Sequence, residues 1–217
     1  MRVLAIGANG PVAASTCLVD AAGTTVTGRA MRVAAGEADL LPAQVQACLH
    51  QADWHADELD LIACGVGPGG FTAIRVGVAL ARALALATGV PVMAVSTFEA
   101  LAVAARACGT EVPLRIAVPG GRGNWHVQDV DAAGRFGPIS TGPSPPSGGA
   151  GFQLIGGEAP EAVQLVAGAE EVGLAAARRL LAGEQGMGGE MLVPLYLRGA
   201  DAREGAGRSL LDLAGAA

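Results

Sequence analysis

Two stretches of this chain repeat each other at one constant offset, and this internal repeat is the strongest constraint on its fold. Residues 3–7, VLAIG, align with residues 114–118, LRIAV, and the turn VDAAG at 19–23 recurs at 130–134. In each half the apolar run is typical of a first strand, and VDAAG is typical of the turn that closes the second strand. The sequence therefore predicts that one supersecondary unit is used twice.

Within the first half, the pattern predicts a meander of three strands followed by alternating helices and strands. β-prone runs separated by turn residues indicate antiparallel pairing, and apolar residues at helical spacing follow them. Gly89 and Pro91 stand where such residues end a helix, and Ser96 with Glu99 predicts a capping box at the next one. The predicted strands are 2–7, 12–19, 24–33, 59–66 and 91–95, and the predicted helices run through 40–49, 72–88 and onward from 97.

The second half starts with the same meander and then becomes less regular. Residues 137–151 are rich in Pro, Gly and Ser and predict a loop, and 183–189 predict a flexible connection. Helical patterns cover 161–166 and 170–181, and 193–198 is the last expected structured piece.

The order βββαβαβα, begun again after residue 113, is typical of the duplicated actin/hexokinase/Hsp70-like fold, an α/β fold of two lobes. We predict an N-terminal lobe at 1–108, a C-terminal lobe at 109–199 and a loosely held tail at 200–217. In this architecture a nucleotide normally lies in the cleft between the lobes, which is an argument from fold alone.

Composition excludes several classes of function. The net charge is −6, lysine is absent and no basic cluster occurs, so tight nucleic-acid binding by this chain alone is not expected. The apolar stretch 73–95 contains Arg75, Arg82 and Pro91, which argues against a membrane span, and no export signal is visible, so we expect a cytoplasmic protein.

Cysteines and histidines show no spacing that would suit a metal or a redox pair. We expect the cysteines to be reduced core residues and the histidines to lie on the surface. The residues concerned are Cys17, Cys48, Cys64, Cys108, His50, His55 and His126.

A glycine-rich turn precedes the second helix. Gly65, Gly67 and Gly70 satisfy G-x-G-x-x-G, but Pro68 stiffens the turn and no acidic ribose ligand follows the next strand, which argues against a dinucleotide site. The absence of lysine excludes a Walker-type loop. The turn exposes backbone amides near Arg75, so it is either an anion site or a tight strand-to-helix connection.

The helix after this turn is small or apolar on nearly every face. Ala73, Gly77 and Ala81 at four-residue spacing favour close approach by another element, in this chain or in a partner.

Residues 67–77, GPGGFTAIRVG, resemble the signature G-P-G-S-F-T-G-L/I-R-I/V-G of the TsaB (YeaZ) family. LLP at 40–42, VPV at 90–92 with VST at 95–97, and PLYLR at 194–198 are similar to further motifs of that family, in the same order. The resemblance implies the duplicated actin-like fold and a non-catalytic dimerisation subunit of the tRNA threonylcarbamoyladenosine (t6A) machinery.

The partners implied by the resemblance are a TsaD-type transferase, which the chain would bind and activate, and a TsaE-type ATPase. A homodimer is a further expectation, tRNA would be contacted only through the complex, and no membrane is involved. The resemblance implies no catalytic site, no metal and no cofactor on the isolated chain, and leaves room for ATP or ADP at the partner interface. The expected interface residues are Glu37, Leu40, Leu41, Gly69, Phe71, Thr72, Arg75, Val76, Ala79 and Arg82. The anion or nucleotide contacts expected from the glycine-rich turn are Gly67, Gly69, Gly70 and Arg75.

The chain departs from the family pattern where the lobes should carry acidic cleft residues. Gly7 stands in place of the Asp of A-I-D, Val118 stands in place of the Asp of I-D-A-R, and the H-S-E of the first helix is reduced to residues 35–37, AGE. Gly70 and Ala73 also replace the serine and second glycine of the signature. We therefore expect no metal–nucleotide in the chain's own cleft. The alternatives are a kinase-like enzyme that uses ATP there and a nicotinamide-dependent oxidoreductase.

Overall fold

The computed structural model describes residues 1–7, 12–20, 23–31, 38–111, 113–144, 146–147, 151–156 and 161–197. Glu37 of the expected interface and the tail at 200–217 lie outside the described residues. The described chain forms two mixed sheets with helices beside and between them, in agreement with the predicted α/β class.

The first sheet has five strands in the order β3-β2-β1-β4-β5. The first three strands form the antiparallel meander that the turn pattern predicted, and β4 and β5 run parallel to β1. The strands are β1 Arg2–Ile6, β2 Val12–Asp20, β3 Gly23–Met31, β4 Leu61–Gly67 and β5 Val92–Ser96.

The second sheet repeats the order of the first four strands, as β8-β7-β6-β9. Its three-strand meander is antiparallel and its fourth strand runs parallel to β6, as β4 does to β1. The strands are β6 Leu114–Gly121, β7 Asn124–Val130, β8 Phe136–Gly142 and β9 Gln153–Gly156. The repeat seen in sequence is therefore a repeat of topology.

Among the described residues, four α-helices cover the sheets: α1 Leu41–Ala52, α2 Phe71–Thr88, α3 Thr97–Ala107 and α4 Ala169–Leu181. The predicted ends of two of them are confirmed. Gly89 closes α2 in a left-handed conformation with φ 75°, and the Ser96 side chain accepts a hydrogen bond from the Glu99 amide at the start of α3.

The helices divide the interior into three main cores. Helices α1 and α2 pack on one face of the first sheet around Leu4 and Ile62. The opposite face, with Val3 and Ala63, packs against α4, although α4 follows the second sheet in sequence. Helix α3 packs against the second sheet through Phe98, so α3 and α4 tie the two sheets together.

Three expectations about the second half are wrong. Strand β8 occupies the start of the predicted loop 137–151; it is an edge strand, where Pro138 is tolerated because one side needs no ladder bonds. Residues 161–166 form no helix, because the Val163 amide bonds to the Leu154 carbonyl at 2.9 Å. The segment 183–189 is held in place, since Met187 exchanges two 2.8 Å backbone bonds with Val92.

Candidate partner-binding surface

Helix α2 presents one side to the first sheet and leaves the other side open. Its inner side buries Ile74, Val78 and Ala85, whereas Leu86 is 90% exposed and Phe71 is 58% exposed. The remaining exposed residues of the helix are Thr72, Arg75, Ala79, Arg82, Ala83 and Ala87. The open side is thus small or apolar apart from two arginines, and we call it the α2 face.

The small residues that favoured close approach lie on the other side of the helix. Gly77 and Ala81 are buried and Ala73 is half-buried, so the element that approaches them belongs to this chain. By length and composition alone, α2, with mean hydropathy 1.5 and 28% of its residues buried, could also cross a membrane. Its exposed Arg75 and Arg82 oppose that reading, because charges are costly at that depth.

Arg75 is held between two aromatic rings at the start of the α2 face. Its guanidinium carbon lies 3.7 Å from the Phe71 ring centroid and 5.6 Å from that of Tyr196. Arg75 Nε also donates to Tyr196 Oη at 3.1 Å, and the two rings stand 6.3 Å apart. Stacking on one side and a hydrogen bond on the other fix this side chain before any partner arrives.

A shallow cavity of about 410 Å³ adjoins this cluster. It is lined by Arg75, Val78, Ala79, Arg82, Pro194 and Tyr196. Throughout the described part of the chain, no carboxylate lies within ion-pairing distance of Arg75 or Arg82. The cavity therefore combines apolar walls with two cationic groups that are not neutralised from within.

The far wall of the cavity is a segment that we call the C-terminal strap, residues 186–197. It is anchored by Leu192, which is 0% exposed, and by the Leu195 amide, which donates to the Val66 carbonyl at 2.8 Å. On either side of Leu192 it turns apolar side chains outward, with Met191 64% and Val193 59% exposed. The local pattern predicted structure only for 193–198, because the contacts that hold the rest of the strap, such as the Met187 pairing with Val92, join it to residues distant along the chain.

The glycine-rich turn before α2 is a tight connection. Gly67 is buried with φ 100°, and a Cβ on it would lie 2.8 Å from Ile74 Cδ1, which explains the glycine. The Gly67–Pro68 peptide bond is cis, and the Pro68 carbonyl accepts a 2.6 Å hydrogen bond from Thr97 Oγ1. Gly69 and Gly70 are exposed. The anion site expected at this turn stays a prediction.

The expected interface residues near α1 differ in position. Leu40 is 42% exposed, in the turn before α1. Leu41 is 2% exposed and joins the core with Val45, because the sheet-facing side of α1 begins there, so its assignment to the surface is corrected. Val76 on α2 is half-buried and also packs against this core.

At Gly7, the end of β1 meets the start of α4. A Cβ at this position would lie 2.4 Å from the Ala169 nitrogen and 2.7 Å from the Gly168 carbonyl carbon. Val118, the equivalent position in the second sheet, is 6% exposed within the α3 core. Where the family pattern has an acidic side chain, the first position has no room for one and the second lies in an apolar interior.

Two further expectations need correction. His126 is 4% exposed, with Nδ1 2.8 Å from Thr141 Oγ1, so it is a core residue, whereas His50 and His55 are exposed as predicted. Cys108 is exposed at the end of α3, although the other three cysteines are buried.

The buried thiols are poor nucleophiles. Burial raises the pKa of Cys64 to about 12 and, as the largest effect, that of Cys17 to about 11. In the part of the chain that the structure describes, no three His, Cys, Asp or Glu side chains converge as a metal site would require.

Comparisons with known proteins agree with this architecture. Residues 34–137 match the family model described as TsaD: tRNA N6-adenosine threonylcarbamoyltransferase. A segment of 58 residues is 40% identical to the tRNA threonylcarbamoyladenosine biosynthesis protein TsaB of Bacillus subtilis. That match covers 27% of this chain and 25% of the relative, so the chain spans a quarter of the relative's length.

Two solved structures from Pseudomonas aeruginosa match over nearly the whole fold. One is a protein with similarity to peptidase YEAZ, at TM-score 0.71 and 25% identity, covering 91% of this chain and 99% of that one. The other is YeaZ, at TM-score 0.71 and 24% identity, and the match covers 90% of this chain and 99% of the YeaZ chain.

The repeated sheet topology and these neighbours place the chain among α/β proteins of the duplicated actin-like type. In this chain an open helix face lies beside the first sheet. Within that class, the chain is similar to TsaB/YeaZ proteins, in agreement with the motifs at 67–77 and 194–198.

Proposed function

We propose that this chain is a non-catalytic subunit of the t6A modification machinery, and that its α2 face binds and activates a TsaD-type transferase. The α2 face carries the proposal, because only 28% of the 18 residues of this largely apolar helix are buried within the chain. The relative from Bacillus subtilis is named for t6A biosynthesis, which supports the pathway.

Docking would remove apolar surface from water. Leu86 and Phe71 are 90% and 58% exposed, and the strap, which packs against α2 at Gly189, exposes Met191 and Val193. Fully burying one side chain of this size stabilises a complex by about 1.5–3 kcal/mol. Ala79 and Ala83 lie between the large residues, and such small side chains let a partner helix approach closely.

The cleft geometry supports a role without catalysis. A kinase-like use of ATP between the sheets would need acidic groups at Gly7 and Val118, and neither position offers one. The Gly7 contact with Ala169 also leaves no room to accommodate a carboxylate by side-chain movement alone. We expect calorimetry with Mg-ATP on the isolated chain to show no binding, and a clear binding isotherm would favour the kinase-like alternative.

Further parts of the proposal rest on the family resemblance. A TsaE-type ATPase would join the assembled pair, tRNA would be contacted through the complex, and ATP or ADP would bind only at the partner interface. A homodimer in the absence of the transferase and a cytoplasmic location belong to the same proposal.

Co-purification and light scattering test the central step. Leu86→Glu places a charge on the α2 face without disturbing the core, so we expect it to abolish binding to the TsaD-type paralogue while the thermal melt stays unchanged. Val166→Glu is the matched control, because Val166 is 61% exposed and lies before α4. A wild-type chain that ignores the paralogue, or a Leu86→Glu variant that binds it as well as wild type, would overturn the proposal.

A further inference from the structure

The cavity beside α2 carries charge that its own surroundings do not balance. Arg75 and Arg82 line it, and the described residues supply no carboxylate within ion-pairing distance of either. The chain as a whole is acidic, with net charge −6, so this cationic pair is a local exception. Exposed cations grouped on an otherwise apolar face indicate the charge of what docks there.

Arg75 is oriented so that part of its guanidinium remains available. Its Nε donates to Tyr196 Oη at 3.1 Å and its plane lies over Phe71, with the guanidinium carbon 3.7 Å from the ring centroid. No hydrogen bond within the described residues uses Nη1 or Nη2 of this side chain. A carboxylate reaches such a group end-on, through two parallel N–H···O bonds.

The position of Arg82 fits a protein side chain better than a single small anion. Arg82 follows Arg75 by seven residues, so the two Cα atoms stand roughly 10 Å apart along the axis at ~1.5 Å per residue. Acidic residues two turns apart on a facing helix have the same spacing. The wall between them, Val78 and Ala79, is apolar and suits the methylene groups of those side chains.

We propose that the cavity receives carboxylate side chains of the docked protein, with Arg75 as the main receptor, Arg82 as the second, and Tyr196 and Phe71 as positioning residues. This inference rests on the proposed function and adds the chemistry of the partner's surface: an acidic helix. Because Arg75 is already held by two rings, little side-chain entropy is lost when the carboxylate binds.

The experiment measures the affinity for the TsaD-type paralogue by calorimetry at low and high salt. Arg75→Gln should weaken binding about thirtyfold or more and flatten the salt dependence. Tyr196→Phe, which removes only the hydroxyl that holds Arg75, should weaken it roughly threefold to tenfold. Arg178→Gln is the matched control, an exposed arginine on α4 with the same charge change, and should bind as wild type does.

The outcomes separate this inference from the proposed function. If Leu86→Glu abolishes binding while Arg75→Gln leaves the affinity and its salt dependence unchanged, docking stands and the carboxylate receptor is wrong. If tripolyphosphate or ATP binds the isolated chain and displaces the paralogue, the cavity is a phosphate site and the inference is overturned. If Arg75→Gln changes only self-association in light scattering, the occupant is a second copy, which equally overturns it.

Discussion

Substituting Gly7 by alanine tests how closely α4 is fitted against the first sheet. The added Cβ would lie 2.4 Å from the Ala169 nitrogen, 2.7 Å from the Gly168 carbonyl carbon and 2.8 Å from the Ala169 Cα. All three are backbone atoms, so no side chain can rotate away. Gly7 cannot retreat freely either, because its amide donates to the Ala13 carbonyl at 2.9 Å.

The expected loss of stability follows from two opposing effects. Forcing one extra methyl group into a packed interior costs typically about 1–3 kcal/mol, and contacts to backbone place this site near the upper end. Alanine also restricts the unfolded chain, which stabilises the fold by about 0.4–1 kcal/mol where the backbone is compatible. The net expectation for Gly7→Ala is a free energy of unfolding lower by about 2 kcal/mol.

Urea denaturation followed by circular dichroism measures this change. Gly142→Ala is the matched control, because a Cβ at Gly142 meets nothing within 4 Å, and it should be neutral or slightly stabilising. Gly7→Asp, which introduces the family's residue, should be less stable than Gly7→Ala and should gain no affinity for Mg-ATP. A Gly7→Ala variant as stable as wild type would show that α4 does not close on β1.

Three further changes have expected outcomes. Ser96→Ala removes the hydroxyl that accepts a hydrogen bond from the Glu99 amide at 3.1 Å. It should lower the free energy of unfolding in urea by about 1 kcal/mol. An unchanged free energy would mean that the capping box contributes nothing to stability. Leu192 is 0% exposed, so Leu192→Ala should lower the free energy of unfolding by about 2–5 kcal/mol. The same change should speed amide hydrogen exchange along the strap, and an unchanged exchange rate would contradict the role of Leu192 as its anchor. Hydrogen bonds from Arg179 lower the pKa of Glu184 in the folded state. This contact therefore stabilises the fold above the carboxyl group's unfolded pKa and is lost as pH falls through the folded pKa. Thermal melts against pH should show a shallower acid-side slope for Glu184→Gln, and an unaltered slope would refute the assignment.

Sequence reasoning succeeded where local pattern and tertiary contact agree. The meander, both parallel strands of the first sheet and the ends of α2 and α3 follow from turn residues, apolar runs and caps that act within a few residues. The repeat extended the same logic to β6 and β7. Strand β8 was missed because Gly137 and Pro138 oppose strand formation locally, and only pairing with β7 overrides them.

The candidate site was predicted less completely, for geometric reasons. The helix pattern alone did not show which side of α2 meets the sheet, so the small residues Gly77 and Ala81 were open to either reading. Leu40 and Leu41 are neighbours in sequence, yet one is exposed and the other is in the core, because α1 begins between them. Tyr196 meets Arg75 across 121 positions of the chain, a separation that no local signal reports.

The strap links the stability of this chain to the shape of the α2 face. A Cβ on Gly189 would lie 2.8 Å from Ala85 Cβ, and one on Gly186 would lie 2.8 Å from Pro91 Cβ, so only glycine lets the strap lie flat along α2 and β5. This close fit fixes the strap, and the strap in turn places Tyr196 against Arg75. A surface held in this way changes little when a partner arrives, so association loses less conformational entropy than docking onto a free segment would. Gly189→Ala lies outside the cavity, yet by displacing the strap it should weaken binding of the TsaD-type paralogue in calorimetry while leaving α2 helical. Unchanged affinity in that variant would show that the α2 face acts without the strap.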